Sequence, residues 1–199
     1  MTSGERPIRQ AHLAGQLARA ATLVVEMYGD EIHRFLSSLL PEAAAADDAF
    51  SRWCESLWIG LPGFRWESTA RVWAYALARH AWTRALRERR RDRVAGIPLS
   101  EVESLVAAAD AVRARTESFL KTDAKDALAA ARDDLSDDDR QLLMLRVTRK
   151  MSWLEIAHVL CEPGDELSEL RRKRRAAALR KRYERLKGRL RERIEGNGA

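Results

Sequence analysis

Apolar residues recur along this chain at spacings of three and four, the period that puts side chains on one face of an α-helix. Leu23, Met27, Ile32, Phe35, Leu36 and Leu39 mark a first helix, which breaks at Pro41. Phe50, Trp53, Cys54, Leu57 and Trp58 mark a second, starting near Asp47 and ended by Gly60, Pro62 and Gly63. A short loop, 64–68, leads to a long helix from about Thr69 to Arg91. Its stripe is Val72, Trp73, Ala76, Leu77, Ala81 and Leu86. Residues 1–16 are expected to form a mobile tail.

Beyond Arg93 the pattern weakens. Gly96 and Pro98 break the helix, and Ser100 with Glu103 forms a capping-box pattern. The Ala-rich helix that follows is lightly hydrophobic and is expected to pack loosely. Periodicity returns at Leu142, Leu143, Leu145 and Val147, after Ser136 and three aspartates that suit a helix start. Ser152 and Glu155 form a second capping box, opening a helix with Trp153, Ile156, Ala157 and Leu160. Pro163-Gly164 makes a turn. A final helix from near Ser168 carries Leu179, Tyr183, Leu186, Leu190 and Ile194 on one face and mostly Arg and Lys on the other. The expected fold is all-α. Two small helical domains, 17–93 and 135–195, are joined by a flexible, partly helical linker, 94–134.

Charge changes this picture more than composition does. The 199 residues carry a net charge of +6, unevenly placed. Residues 168–195 hold 13 basic and 4 acidic side chains, and residues 79–93 hold 7 and 2. Residues 100–140 hold 6 basic and 11 acidic. Two basic blocks flanking an acidic stretch attract polyanions, because each neutralised phosphate releases counterions. At 46% hydrophobic and 33% charged residues, the composition is that of a folded soluble protein. Cys54 and Cys161 stand outside any CxxC or Cys/His cluster, as in a reduced cytoplasmic chain. Neither a signal peptide nor a membrane span is visible, so no membrane partner is expected.

The C-terminal pattern of a capped helix, a turn and a basic amphipathic helix fits a helix-turn-helix. Its alternative is a solvated basic face on a bundle helix. Near the other basic block, Phe64, Trp66, Trp73, Tyr75 and Trp82 interleave with Arg65, Arg71, Arg79, Arg84 and Arg87. Rings that stack on bases and guanidinium groups that meet phosphates suit single-stranded nucleic acid. Trp53, Trp58 and Trp73 are expected in the core, whereas Phe64 and Trp66 lie in a loop. Catalytic signals are missing: His12, His33, His80 and His158 are scattered, and HExxH, GxSxG and Gly-rich phosphate loops are absent. No enzyme, cofactor or metal is expected. Asp47-Asp48 and Asp137–Asp139 are read as helix-start caps.

These stretches resemble a known family. Tyr28 to Leu40, Asp47-Asp48-Ala49-Phe50, Phe64 to Trp73 and Tyr75 to His80 look like the second conserved region of extracytoplasmic-function (ECF) sigma factors of the sigma-70 family. The Arg-rich end, Arg87 to Arg93, matches in position. Leu135 to Arg146 with Met151 to Ala157 looks like the start of that family's fourth region, and Leu179 to Leu190 is similar to its recognition helix. The resemblance implies partners: RNA polymerase core and promoter DNA, with room for an anti-sigma factor on another chain. It implies that Asp48, Arg52 and Glu55 contact the polymerase clamp. It assigns the minus-ten element to Phe64, Arg65, Trp66, Ser68, Thr69, Arg79, His80, Thr83 and Arg87. The minus-thirty-five element falls to Arg172, Arg175, Arg180, Lys181, Arg182 and Arg185. The acidic linker would thread towards the polymerase channels.

The chain departs from the family at Phe50-Ser51, at His80 and Arg84, and in the long stretch from Cys161 to Ala177 before the recognition helix. Two other functions fit the residues. One is a stand-alone helix-turn-helix regulator without polymerase binding. The other is a helical interaction protein whose basic tail docks RNA or a partner.

Overall fold

The computed structural model describes residues 3–40, 42–88, 103–119, 135–161 and 168–196, nearly all of them helical. The chain divides into two compact units, 1–123 and 124–199. The first contains α1 (Arg6–Leu13), α2 (Leu17–Leu39), α3 (Ala43–Gly60), α4 (Ala70–Glu88) and α5 (Glu103–Phe119). The second contains α6 (Asp137–Leu143), a π-turn (Met144–Thr148), α7 (Trp153–Val159) and α8 (Glu169–Gly196). The all-α expectation holds.

The first unit is built around α2. Val24, Val25, Ile32, Phe35 and Leu36 are wholly buried on it, spaced as the periodicity requires. The helix stops at Leu40, whose backbone turns extended (φ −111°, ψ 117°). Leu40 precedes Pro41, and the proline ring disfavours helical backbone in the residue before it. Trp53 of α3 is wholly buried, stacks on Phe50 and donates its indole N–H to the Ala74 carbonyl at 2.9 Å. The hydrogen bond answers the one polar atom that burial would otherwise leave unpaired. Cys54, buried beside it, has its thiol pushed up to about 12 by that burial.

The expected α4 stripe is misplaced: Val72 and Ala81 are buried, but Trp73, Ala76, Leu77 and Leu86, like Trp58 of α3, are only half-buried, and Ala74, Tyr75, Ala78 and Trp82 fill the core instead. Three further expectations fail. Residues 6–13 are a helix, not a mobile tail, and Ile8 and Glu5 are buried. The physical reason is a carboxylate: Glu5 is consumed at the start of α4, as described below. Second, α3 begins at Ala43, four residues before Asp47. Asp47 therefore caps nothing and instead meets His33 Nε2 at 2.7 Å. Third, 103–119 packs closely rather than loosely. Leu105, Ala109 and Val112, at i, i+4 and i+7, are buried, and α5 lies along α2. Arg115 pairs with Asp30, Thr22 with Ser104, and Arg113 bonds Ser51 with its guanidinium 5.5 Å over the Phe50 ring. The Ser100 half of the first capping box, the Arg-rich stretch beyond Glu88 and the Pro163-Gly164 turn lie outside the described residues.

Gly29 makes the α2–α5 contact possible. A Cβ placed there would lie 2.7 Å from Val112 Cγ2. Gly29→Ala gains about 1 kcal/mol of helix propensity but overpacks by about 1–3 kcal/mol. The expected result is a net loss of stability, with faster amide exchange over 103–115. Adding Val112→Ala should reverse the faster exchange. A stabilised single variant would show that the close approach is not constraining.

Candidate nucleic-acid interface

Basic and aromatic side chains gather in both units, and local structure decides which of them are available. In the first unit the focus is the loop between α3 and α4. Leu61–Gly63 forms a single 3-10 turn, after which residues 64–69 form a loop that bends at Glu67 and Ser68. Phe64 stacks on Trp73 (4.5 Å, 18°) and tilts against Trp66 (4.8 Å). Gly60 lets Trp73 in: a Cβ there would lie 3.1 Å from its ring. Trp66 itself sits at φ 59°, a left-handed backbone that bulky residues rarely adopt. Phe64 and Trp66 are half-buried, while Arg65 and Glu67 are exposed.

The start of α4 is held from a distance. Glu5 accepts from the backbone N–H of Ala70 (3.2 Å) and Arg71 (3.0 Å) and from the Tyr28 hydroxyl (2.7 Å). Thr69 Oγ1 accepts from the Val72 N–H at 3.2 Å. Three of the four N–H groups that a helix leaves unpaired at its start are thereby satisfied. The carboxylate also lies where the helix dipole favours negative charge. Burial, with Glu5 beside it, pushes the Tyr28 phenol well above its ordinary range. Arg71 pairs with Glu31 and lies 5.5 Å over the Tyr75 ring.

The sequence-expected residues divide accordingly. Arg65 and Arg87 are exposed. Ser68 and Thr83 are half-buried and bond backbone carbonyls, those of Thr69 and Arg79 respectively. Thr69 is the α4 cap. Arg79 and His80 are half-buried on α4. On α3, Asp48, Arg52 and Glu55 fall at i, i+4 and i+7 on the side away from buried Phe50, Trp53 and Leu57. Ile59 continues that stripe and is 61% exposed. An exposed Ile one turn beyond the charged three was missed in the sequence, although its i+11 position places it there.

In the second unit Ser136 caps α6 through the Asp139 N–H, and Ser152 with Glu155 closes the expected capping box on α7. Leu142, Leu145, Met151, Ile156 and Leu186 make a small core. Trp153 meets Tyr183 edge-on, and Arg146 lies 4.6 Å over Trp153. The α8 helix starts at Glu169, so the long stretch before the expected recognition helix is partly helix itself. At about 1.5 Å per residue its 28 residues span about 42 Å.

The cations of α8 are not equivalent. Arg182 donates to Asp139 Oδ1 at 2.6 Å, and Arg189 to Oδ2 at 2.9 Å. Arg182 also reaches Asp138 and Ser136. Arg175 donates to the Leu160 carbonyl at the end of α7. Arg172 is half-buried. Arg180, Lys181 and Arg185 are exposed and line a shallow open groove with Ala177 and Glu184. Three of the six expected contacts therefore face solvent, and two are committed to holding α8 in its unit.

Asp139 is buried. Burial alone would raise its carboxyl, but the hydrogen bonds and charges of Arg182 and Arg189 outweigh it and hold the pKa below its usual value. A depressed folded-state pKa gives stability that is present above about pH 4 and lost as pH falls through the folded value. Wild type and Asp139→Asn should therefore differ in thermal midpoint at pH 6, and the difference should shrink progressively as pH falls below about 4. A difference that persists unchanged at pH 3 would rule out the ion pairs as its source.

Among the described residues, no helix is long and apolar enough to cross a membrane. No curated protein matches the chain. Residues 24–92, about a third of the sequence, match the family model described as Sigma-70 region 2. That segment spans most of α2, the α3 stripe, the aromatic loop and α4. Over these residues, all within its first unit, the chain is similar to region 2 of the sigma-70 family.

Proposed function

We propose that this chain is a sigma factor of the ECF type. It binds polymerase core through the outward stripe of α3, with Asp48, Arg52 and Glu55 as contacts and Ile59 beside them. The loop 64–69 and α4 open the minus-ten element, with Arg65 and Arg87 presented to phosphates. The second unit is a region 4-like helix-turn-helix in which α8 docks on the minus-thirty-five duplex. Catalysis belongs to the polymerase. The chain works in the cytoplasm, and an anti-sigma factor on another chain would regulate it.

The observation that carries this reading is the composition of the matched segment. One Sigma-70 region 2 match holds both the α3 stripe and the aromatic loop with its exposed arginine. A separate unit then supplies a helix with exposed cations, suited to duplex phosphates. Gel filtration of the chain with core polymerase at micromolar concentration tests it, followed by transcription of genomic DNA by the mixture. Co-elution and discrete start sites are expected. Separate elution of the two would sink the proposal.

One observation favours a stand-alone DNA-binding regulator. Arg113 of α5 takes up Phe50 and Ser51, which follow the acidic pair where the family has a different dipeptide. That reading predicts duplex binding without core and no promoter-specific transcript.

A further inference from the structure

We propose that His12 is a positioning residue for the aromatic loop, fixing the Trp66 ring so that it receives a base of single-stranded DNA. The inference deepens the loop's assignment above and rests on it.

His12 lies on α1, outside the matched segment and within the stretch that sequence pattern alone gives no role. Its two ring nitrogens are both engaged, and with different partners. Nε2 lies 2.8 Å from the Leu61 carbonyl oxygen. A carbonyl only accepts, so Nε2 carries the proton. The Trp66 indole N–H, which can only donate, lies 3.2 Å from Nδ1, so Nδ1 is the acceptor. One neutral imidazole thus ties the 3-10 turn before the loop to the ring inside it.

Trp66 needs that tie more than an ordinary loop residue would. Its left-handed backbone costs on the order of 1 kcal/mol or more and persists only where the surroundings over-determine it. His12 also meets both Trp66 and Phe64 edge-on, at 5.9 and 6.4 Å between centroids. Arg9, one turn earlier on α1, places its guanidinium 5.6 Å from the Trp66 centroid. The platform under these contacts is rigid: Ile8 is wholly buried, and Glu5 is locked to α4 by two hydrogen bonds and to Tyr28 of α2 by a third. A ring held in advance loses little freedom when a base stacks on it, and exposed Arg65 supplies a cation beside it.

Two conservative variants separate positioning from structure. In His12→Asn, Oδ1 takes the place of Nδ1 and keeps the acceptor for Trp66 but loses the donor to Leu61. In His12→Gln, the amide N–H takes the place of Nε2 and keeps the Leu61 bond but loses the Trp66 acceptor. The probe is a fluorescein-labelled, 12-nucleotide single-stranded DNA of randomised sequence, titrated with the full chain at fixed salt. Thermal midpoints are measured in parallel.

Trp66→Ala is expected to weaken binding about tenfold. His12→Ala and His12→Gln should weaken it by about five- to tenfold, and His12→Asn by no more than about twofold. His12→Ala should add nothing in the Trp66→Ala background. The midpoint should follow the opposite order, with Gln better preserved than Asn. Binding that tracks the midpoint across the three variants, or a His12→Ala effect that survives without Trp66, overturns the positioning role. An unchanged affinity in Trp66→Ala overturns the nucleic-acid reading of the loop itself, and this proposal with it.

Discussion

Replacing Arg180, Lys181 and Arg185 together with alanine should weaken duplex binding about 100-fold at ~0.15 M salt, with the helical content unchanged. The size comes from counterion release. Each phosphate contact contributes about 0.9 to the slope of log affinity against log salt concentration. Three contacts are worth a slope of about 3, which corresponds to about two decades in affinity at ~0.15 M. The three side chains are exposed on α8 and make no contact needed by the small core of their unit. Arg182→Ala is the control. It removes a cation from the same helix, but one bonded to buried Asp139. Its effect should fall on stability, and the salt slope should change by much less than one. Equal slope changes for Arg182 and Arg185 would show that the Asp139 clamp opens on DNA.

Glu5→Ala should destabilise the first unit by about 4 kcal/mol. The substitution leaves the Tyr28 hydroxyl and the Ala70 and Arg71 N–H groups facing a site without an acceptor. An unsatisfied buried donor costs about 1–3 kcal/mol, and three together exceed what one surface cap is worth. Glu5→Gln retains one carbonyl oxygen and should lose about half as much. Denaturant unfolding followed through tryptophan fluorescence measures both. A loss below about 1 kcal/mol for Glu5→Ala would mean that water replaces the carboxylate at the start of α4.

The sequence made α2 and α3 legible because their burial is apolar and periodic; on α4 the pattern misled, because the buried face runs through Ala74, Tyr75, Ala78 and Trp82 while Trp73, Ala76, Leu77 and Leu86 are only half-buried. Leu23 to Leu39 and Phe50 to Leu57 repeat at three and four. It concealed α1 because that helix is anchored by an acid. Glu5 reads as a surface residue, and its partners lie 65 and 66 positions away. Pro7, in the first turn of α1, was the available signal for a helix start. The early start of α3 hid in Ala43–Ala46, which have high helix propensity but no pattern. The α5 stripe is weak in the sequence because, among the described residues, one of its three buried positions is alanine, and its close contact needs only Gly29 opposite.

The candidate interface was legible as a set of residue types and less so as a set of available atoms. Counting charge treats Arg180 and Arg182 alike. Only the fold shows that Asp139 takes two of the guanidinium groups on α8. Likewise the loop aromatics are visible in the sequence, but the histidine bonded to Trp66 looks isolated there, because 54 residues separate His12 from Trp66.

The docking of α5 also decides where this chain can be cut. A fragment ending at Arg93, where the periodic pattern fades, would lack the helix that covers Gly29 and the α2 surface around it. That surface would meet water as an apolar strip, a hazard for self-association at working concentrations. The smallest self-sufficient piece of the first unit therefore runs past Phe119, and a family boundary drawn at residue 92 marks the end of a shared pattern, not the end of a folding unit.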